Sequence, residues 1–241
     1  MTKTEAMKEL RASGSEQTRK TYRRHGVKGK MYGVSYAVLG KLRKKIKTDQ
    51  KLAEQLWATA NMDARVLATM IADPSEIGLS TIKAWGQDAD YRGLAGAVSN
   101  VAAETPHAVK LMQQWTASKT EMVACAGWHT LASISRQDNG LPDSFFEERL
   151  ATIESTVHSS KNWVKYAMNN ALINIGVRNA ELEKKAIAAA KRIGTIDVDH
   201  GETSCRTPDA AAYIKKTVAY NKKKKARRAK TARRSNLPDR L

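Results

Sequence analysis

The chain has 241 residues, and its hydrophobic content of 41% favours a globular protein over a disordered one. No apolar run reaches the length of a membrane span and the first residues lack the apolar core of a secretory signal, so we expect a cytoplasmic protein that does not enter membranes. The two cysteines, Cys125 and Cys205, lie far apart in sequence and argue against a disulfide framework.

The net charge of +18 is concentrated at the two ends of the chain. Residues 1–51 contain 15 Lys and Arg against 4 Asp and Glu, and residues 215–241 contain 12 against 1. The residues between them contain 15 basic and 19 acidic side chains. Two separate basic segments favour a polyanionic partner, because each Lys or Arg that reaches a phosphate releases condensed counterions. A membrane surface is disfavoured, since the basic segment after Tyr220 lacks bulky apolar residues opposite its charges.

Apolar residues recur at helical spacing through almost the whole chain, and sustained period-2 alternation is absent. The pattern predicts helices at residues 36–47, 50–60, 63–72, 75–84, 91–103, 107–115, 120–135, 143–157, 162–175, 180–193 and 209–220. Capping side chains stand directly before proline at Asp73, Thr105 and Thr207, and each of these pairs predicts a helix start.

Short helices joined by short turns are typical of an α-solenoid, although no strict repeat period is present. We predict an all-α fold, an α-solenoid of degenerate HEAT/armadillo-like helical hairpins, with a compact helical bundle as the alternative. In this prediction residues 1–220 form a single domain. Residues 221–241 form a basic, disordered tail that either aids solubility or binds a polyanion.

The runs YGVSYAVLGKLRKKI, LAEQLWATANMDARVLATMIADP and HSSKNWVKYAMNNAL suggest a family. They resemble the AlkD-like DNA alkylation repair proteins, from about Thr18 to about Ile193. The resemblance implies a HEAT-like solenoid that holds duplex DNA, alkylated when it is a substrate, in a concave basic groove. It also implies hydrolysis of the N-glycosidic bond of alkylated purines. In that family an Asp stabilises the charge developing on the deoxyribose, Trp rings flank it and an Arg holds the backbone.

The functional residues of the family do not transfer cleanly. Alignment by apolar positions places Arg92, Gly96, Ala126 and Ala171 where the family has Trp, Asp, Arg and Trp. The nearest Trp to the last of these positions is Trp163, two helical turns earlier. The resemblance therefore supports the fold better than the chemistry.

A different register offers other catalytic candidates. Trp85 and Asp88 are three residues apart and share one face of a helix, and Asp90 is a further candidate carboxylate. In the competing interpretation Trp85 is a core residue, and Asp88 or Asp90 caps a helix.

Two other constellations indicate ordinary structure. Acidic, histidine and cysteine side chains gather between Asp197 and Cys205, but no second pair follows at metal-ligand spacing. We interpret this segment as a polar loop and predict no metal and no cofactor. Cys125 and His129 could form a nucleophile–base dyad, although the apolar neighbours of Cys125 favour a buried structural thiol.

Basic residues near the amino terminus are interleaved with Tyr22, His25 and Tyr32, an arrangement suited to phosphate and sugar contacts. A second basic pair begins a helix that the resemblance places on the groove, and a third group forms the tail. The predicted nucleic-acid-binding residues are Arg19, Lys20, Arg23, Arg24, Lys28, Lys30, Lys161, Lys165, Lys222, Lys223, Lys224, Lys225, Arg227 and Arg228. The competing interpretation is that these are solvated faces without a partner.

Two functional hypotheses follow. In the first, the protein is a monomeric DNA-binding member of the AlkD-like group that hydrolyses the N-glycosidic bond of alkylated purines. In the second, it is a non-catalytic HEAT-like scaffold that binds nucleic acid or a protein partner through a basic concave groove. Fold and charge support both, and the departures at the catalytic positions favour the second.

Overall fold

The computed structural model describes the backbone of residues 1–235 and the side chains of residues 1–227. Residues 1–235 form thirteen α-helices and no strand. The helices are α1 (Lys3–Ala12), α2 (Glu16–Arg24), α3 (Tyr36–Ile46), α4 (Gln50–Trp57), α5 (Met62–Ile71), α6 (Leu79–Asp88), α7 (Arg92–Glu104), α8 (Ala108–Thr116), α9 (Glu121–Ile134), α10 (Asp143–Thr156), α11 (Asn162–Gly176), α12 (Ala180–Ile193) and α13 (Ala210–Ser235). None of the helices in this part of the chain is long and apolar enough to cross a membrane.

Most of the helices form two layers. The inner layer contains α3, α5, α7, α9, α11 and α13, and each of these helices packs against the next one in that series. The outer layer contains α4, α6, α8, α10 and α12, and each packs against the inner helix that follows it in the chain. Helical hairpins therefore stack one on another, which confirms the predicted all-α solenoid rather than the compact bundle.

The hairpin of α4 and α5 shows why this sequence forms such units. Leu52, Leu56 and Trp57 of α4 are buried, and so are Leu67 and Ile71 of α5. The apolar residues recur at spacings of three and four, so each helix presents one apolar face to its neighbours. Full burial of a large apolar side chain contributes about 1.5–3 kcal/mol, so the paired faces hold the hairpin together.

A buried carboxylate fastens the segment between α2 and α3 to the start of α5. Asp63 Oδ2 accepts hydrogen bonds from the backbone N–H groups of Tyr32 at 2.6 Å and Gly33 at 3.1 Å, and Oδ1 accepts one from Val34 at 2.8 Å. Asp63 is 0% exposed, so these three bonds replace its lost hydration. The Tyr22 hydroxyl also donates to the Val34 carbonyl at 2.6 Å. Together these contacts fix α2 beside the inner layer.

The helix start predicted at Asp73 is wrong. Asp73 Oδ1 accepts hydrogen bonds from the backbone N–H of Ser75 at 2.9 Å and from its hydroxyl at 2.6 Å, which closes a turn instead of starting a helix. As a result α6 begins at Leu79 and ends at Asp88, whereas the sequence pattern predicts residues 75–84.

The other two predicted helix starts, at Thr105 and Thr207, lie within three residues of a helix start, but neither residue is the N-cap of that helix. Thr105 Oγ1 accepts a hydrogen bond from the His107 backbone N–H at 3.2 Å, and α8 begins one residue later. Asp209, not Thr207, caps α13, because Asp209 Oδ1 accepts from the Ala212 backbone N–H at 2.7 Å. Neither proline occupies the first helical position. The other predicted helices are present with ends that differ by at most three residues, α13 excepted.

At both ends of the described chain the structure contains helix that the sequence pattern does not predict. α1 begins at a capping box, in which the Thr2 and Glu5 side chains each accept a bond from the other's backbone N–H. At the other end α13 continues to Ser235, where the sequence predicts disorder from residue 221. Residues 210–235 contain no Gly or Pro and many Ala, Lys and Arg, which are strong helix formers. Residues 236–241 of the predicted tail lie outside the described residues.

Candidate nucleic-acid interface

In the described part of the chain, the free face of the inner layer contains two grooves, each lined by inner helices and the turns that follow them. The N-terminal groove, of about 850 Å³, lies between α3, α5 and α7, and the C-terminal groove, of about 810 Å³, lies between α9, α11 and α13. Arg43, Lys44 and Lys47 line the N-terminal groove from the end of α3, and all three are exposed. Glu104 is the one carboxylate among the described residues that line it. This groove therefore presents a net positive surface.

The three cations of the N-terminal groove are absent from the residues predicted to bind nucleic acid. The signal was present, because Leu39 and Leu42 are the buried residues of α3 and the three cations stand on its other faces. Their spacing of one and three residues places them together at the end of the helix. Two of them lie in the run YGVSYAVLGKLRKKI, which resembles the DNA alkylation repair proteins.

At the start of α7, the Arg92 guanidinium lies against two rings from α11. Its Cζ atom is 4.8 Å from the ring centroid of Trp163 and 5.4 Å from that of Tyr166. Arg92 Nη2 is 3.2 Å from Nδ1 of His25, at the end of α2, and 3.7 Å from Sγ of Cys205, between α12 and α13. We call these five residues the Arg92 cluster. It joins four segments that are distant in sequence, so no local motif could have predicted it.

Arg92 is the fixed positive charge of this region. Burial and the neighbouring Arg92 guanidinium lower the pKa of His25 and of His200 below the usual value, which favours the neutral imidazole. Burial and then Arg92 lower the pKa of His129 to about 4. Among residues 1–227, Arg92 forms no ion pair with a carboxylate. The cluster therefore offers one uncompensated cation beside aromatic rings.

Two predicted binding residues near the amino terminus also support the fold. Arg19 Nη1 donates to the Tyr32 carbonyl at 2.9 Å. Arg23 Nη1 donates to the carbonyl oxygens of Val27 at 3.1 Å and Lys28 at 2.6 Å. Both guanidinium groups thus hold the segment that follows α2. Arg19 is also paired with the Glu16 carboxylate at 2.8 Å, so a phosphate would compete with Glu16 for Arg19 and would share the remaining N–H groups of Arg23.

The other predicted cations of this segment are free for a ligand. The side chains of Lys20, Arg24, Lys28 and Lys30 are exposed, and none of them has a hydrogen-bond partner within the described part of the chain. Lys20 and Arg24 line a shallow surface on α2. Exposed cations of this kind can contact phosphates without specific geometry.

The remaining predicted binding residues are divided between α11 and α13. Lys161 Nζ donates to the Lys119 carbonyl at 2.8 Å, and Lys165 is half-buried on the first turn of α11. The side chains of the tail cations are exposed along α13, namely Lys222, Lys223, Lys224, Lys225 and Arg227. The Arg228 side chain lies outside the described residues.

The candidate catalytic residues lie mainly in the packing of the outer layer. Trp85 is 2% exposed and stacks on Trp57, with ring centroids 4.4 Å apart. Asp88 Oδ2 accepts from Trp57 Nε1 at 2.9 Å and pairs with the Arg65 guanidinium at 3.1 Å. These contacts give Trp85 and Asp88 a structural role, and their catalytic role stays a prediction. Asp90 is exposed and has no hydrogen bond within residues 1–227, and its catalytic role stays a prediction.

The positions aligned with the family's functional residues carry other side chains. Ala126 and Ala171 are both 0% exposed and belong to the core. Gly96 is half-buried, and a Cβ atom added there would have no atom within 4 Å. Of these four positions, only Arg92 carries a polar side chain. It is a cation at the position where the resemblance places a neutral Trp ring.

The other candidate constellations do not form reactive sites. Cys125 is 0% exposed, and burial raises the pKa of its thiol to about 12. His129 Nδ1 is 3.1 Å from the side-chain amide nitrogen Nδ2 of Asn170 on α11, so this ring nitrogen already has a hydrogen-bond partner. Cys205 Sγ lies 3.7 Å from Arg92 Nη2, whereas His200 Nε2 lies 3.0 Å from Thr207 Oγ1. Within the described residues, no group of three His, Cys, Asp or Glu side chains is placed to hold a metal ion.

Comparison with known proteins gives consistent results. Residues 6–215 match the family described as DNA alkylation repair enzyme. A solved structure described as "A new family of proteins related to the HEAT-like repeat DNA glycosylases with affinity for branched DNA structures" is 31% identical in sequence. It has a TM-score of 0.83, and the alignment covers 92% of this chain and 95% of that chain.

Two relatives from Listeria extend the comparison. Uncharacterized proteins of Listeria innocua and Listeria monocytogenes are 29% and 28% identical to this chain over 214 residues. Each alignment covers 86% of this chain and 93% of the relative. The matches span nearly the whole solenoid, as does the family match. This chain therefore belongs to the DNA alkylation repair enzyme family.

Proposed function

We propose that this protein binds DNA on the free face of its inner layer and prefers branched structures to a linear duplex. We also propose that it leaves the N-glycosidic bond of alkylated purines intact. The observation that carries the proposal is Arg92, a cation without a carboxylate partner among residues 1–227, which stands against Trp163 and Tyr166. A site of this composition suits the negative charge of a phosphodiester.

The charge of Arg92 argues against glycosidic cleavage. Cleavage develops positive charge on the deoxyribose, and a nearby carboxylate would stabilise that charge. A guanidinium has the opposite effect, because two positive charges about 6 Å apart repel by about 3 kcal/mol at an effective dielectric constant of about 20. A penalty of that size slows a reaction roughly 100-fold. Gly96, where the family alignment has the catalytic Asp, supplies nothing to offset it.

Several features support DNA as the ligand. The chain belongs to a DNA repair family, and a structural relative is described as having affinity for branched DNA structures. The N-terminal groove places Arg43, Lys44 and Lys47 on the free face of the inner layer. The exposed cations of α2 and α13 extend the positive surface beyond this groove. Phosphate contacts of this kind supply affinity that depends on charge and not on base sequence.

The binding test compares two triple variants that lose the same charge. One variant replaces the cations of the N-terminal groove, Arg43, Lys44 and Lys47, by Ala. The matched control replaces exposed lysines of α4, α8 and α12, which are outer-layer helices, namely Lys51, Lys110 and Lys191. For the groove variant we expect weaker binding to every DNA and a salt slope reduced by up to about 2.7, since each phosphate contact contributes about 0.9. If the two variants lost DNA affinity equally, that result would contradict binding at the N-terminal groove.

The chemical test is single-turnover release of 7-methylguanine or 3-methyladenine from alkylated duplex DNA. We expect no release by the wild-type protein, although it binds the same duplex. Release at a rate above that of DNA alone would refute the non-catalytic proposal. In that event Asp90→Asn identifies whether Asp90, the exposed carboxylate nearest Arg92 in sequence, carries the reaction.

A further inference from the structure

The C-terminal groove has an exposed aromatic ring on one wall. Tyr213 of α13 is 47% exposed, and it lines the groove together with Thr217 and Asn221, which follow at four-residue intervals on the same face. Its hydroxyl makes no hydrogen bond within residues 1–227. An aromatic ring left open in a groove offers a flat apolar face to a ligand.

The opposite wall contains a guanidinium held by neutral groups. Arg136, at the end of α9, donates from Nη1 to Asn174 Oδ1 at 3.2 Å and from Nη2 to Ser133 Oγ at 2.9 Å. These bonds use two of its five N–H groups. Arg136 forms no ion pair with a carboxylate among residues 1–227, and partial burial lowers the pKa of its guanidinium. Its charge is therefore available to an anion.

The amides of α11 fix the position of this guanidinium. Asn174 Nδ2 donates to the Asn170 carbonyl at 2.7 Å and lies 3.1 Å from Asn170 Oδ1, which leaves Asn174 Oδ1 to accept from Arg136. Asn170 Nδ2 in turn lies 3.1 Å from His129 Nδ1. Because each group is bonded to the next, Arg136 is positioned before any ligand arrives.

The remaining charges of the groove do not compete for the same ligand. Arg178 already donates hydrogen bonds to the carbonyl oxygens of Ser135 and Gln137, at 3.2 and 2.6 Å. Its guanidinium also lies over the ring of Phe146, 4.5 Å from the centroid. Asp138 is the one carboxylate among the described lining residues, and it is exposed. The groove thus combines an open ring, one available guanidinium and amide groups.

We infer that the C-terminal groove binds one unpaired nucleotide of DNA, with its base stacked on Tyr213 and a neighbouring phosphate on Arg136. In a duplex both faces of a base are covered by its neighbours, so only an unpaired nucleotide can stack on a side chain. Lys216, three residues after Tyr213 and so on the same face of α13, is exposed and adds positive charge for the same strand. The inference rests on the proposed function and adds affinity for those branched DNAs that carry unpaired nucleotides, because their bases are released from the stack.

The test uses a fork with two unpaired arms, the same fork with both arms paired, and a linear duplex of matched length. For Tyr213→Ala we expect affinity for the unpaired fork to fall about 5- to 150-fold, the range found when one stacked aromatic is removed. Affinity for the paired fork and the linear duplex should change less than twofold. Tyr213→Phe keeps the ring and should bind all three DNAs as the wild type does.

Two further variants separate stacking from general effects. Tyr220→Ala removes an exposed tyrosine of the same helix that does not line the groove, and it should bind all three DNAs as the wild type does. Arg136→Gln should weaken binding to the unpaired fork and reduce its salt slope by about 0.7, the contribution of one phosphate on a single strand. Circular dichroism and thermal unfolding confirm that each variant is folded.

The inference is overturned if Tyr213→Ala binds the unpaired fork as tightly as the wild type does, or if it weakens all three DNAs equally. Different results would refute the proposed function. It is refuted if the wild-type protein binds none of the three DNAs, or if it binds the two forks no more tightly than the linear duplex. The two failures can therefore be distinguished in a single titration series.

Discussion

Asp63→Asn is expected to weaken the attachment of α2 and the segment after it. The amide keeps the shape of the carboxylate but accepts through one oxygen only. If that oxygen keeps the bond from Val34, the new NH₂ group faces the N–H groups of Tyr32 and Gly33, which now lie 2.6 and 3.1 Å from Oδ2. Two hydrogen bonds to a charged acceptor are then lost, at about 1.5–3 kcal/mol each.

The net effect is smaller than the sum of those bonds, because the variant no longer buries a charge. We expect the free energy of unfolding to fall by about 2–4 kcal/mol. With an m value near 2 kcal/mol/M, the urea midpoint then falls by about 1–2 M at unchanged m. Asp90→Asn, at an exposed site, is the control and should shift unfolding by less than about 0.5 kcal/mol. A midpoint for Asp63→Asn equal to that of the control would refute the structural role of this carboxylate.

Three further predictions concern charge. Asp88→Asn should lower the unfolding free energy by about 1 kcal/mol, since its ion pair is partly exposed, and a much larger loss in chemical denaturation would contradict this. Burial and Arg92 lower the pKa of His129 to about 4, so the unfolded chain binds the extra proton and stability should fall as pH decreases from about 6.5 to 4. His129→Gln should flatten that dependence, and an unchanged curve would exclude His129 as its source. Removal of residues 222–241 should weaken binding to all DNAs about uniformly and reduce the salt slope, whereas an unaltered slope would limit the tail to solubility.

The fold could be predicted from the sequence because its determinants are local. Apolar residues at helical spacing locate α4 and α5 within a few residues, since each helix buries one face within its own hairpin. The error at α6 arose where Asp73 could cap either a helix or a turn, and the bonds to Ser75 select the turn. The choice depends on neighbouring packing, which the local sequence does not contain.

The site could be predicted only in its general character. The basic ends of the chain indicate a polyanion, and the departures at the family's catalytic positions indicate altered chemistry. The contact of Arg92 with Trp163 and Cys205 joins residues 71 and 113 positions apart, respectively, and requires the stacked solenoid. Trp85 and Asp88 have the residue types and spacing predicted for catalysis, and in the fold both contact Trp57 of the outer layer.

The most direct test of the central claim is the affinity of the wild-type protein for a forked or four-way DNA and for a linear duplex of the same sequence. Fluorescence anisotropy at one fixed salt concentration measures both, and the alkylated form of the duplex is included in the same series. We expect tighter binding to the branched DNA and no release of alkylated base. Equal or tighter binding to the linear duplex, or release of the base, would contradict the central claim.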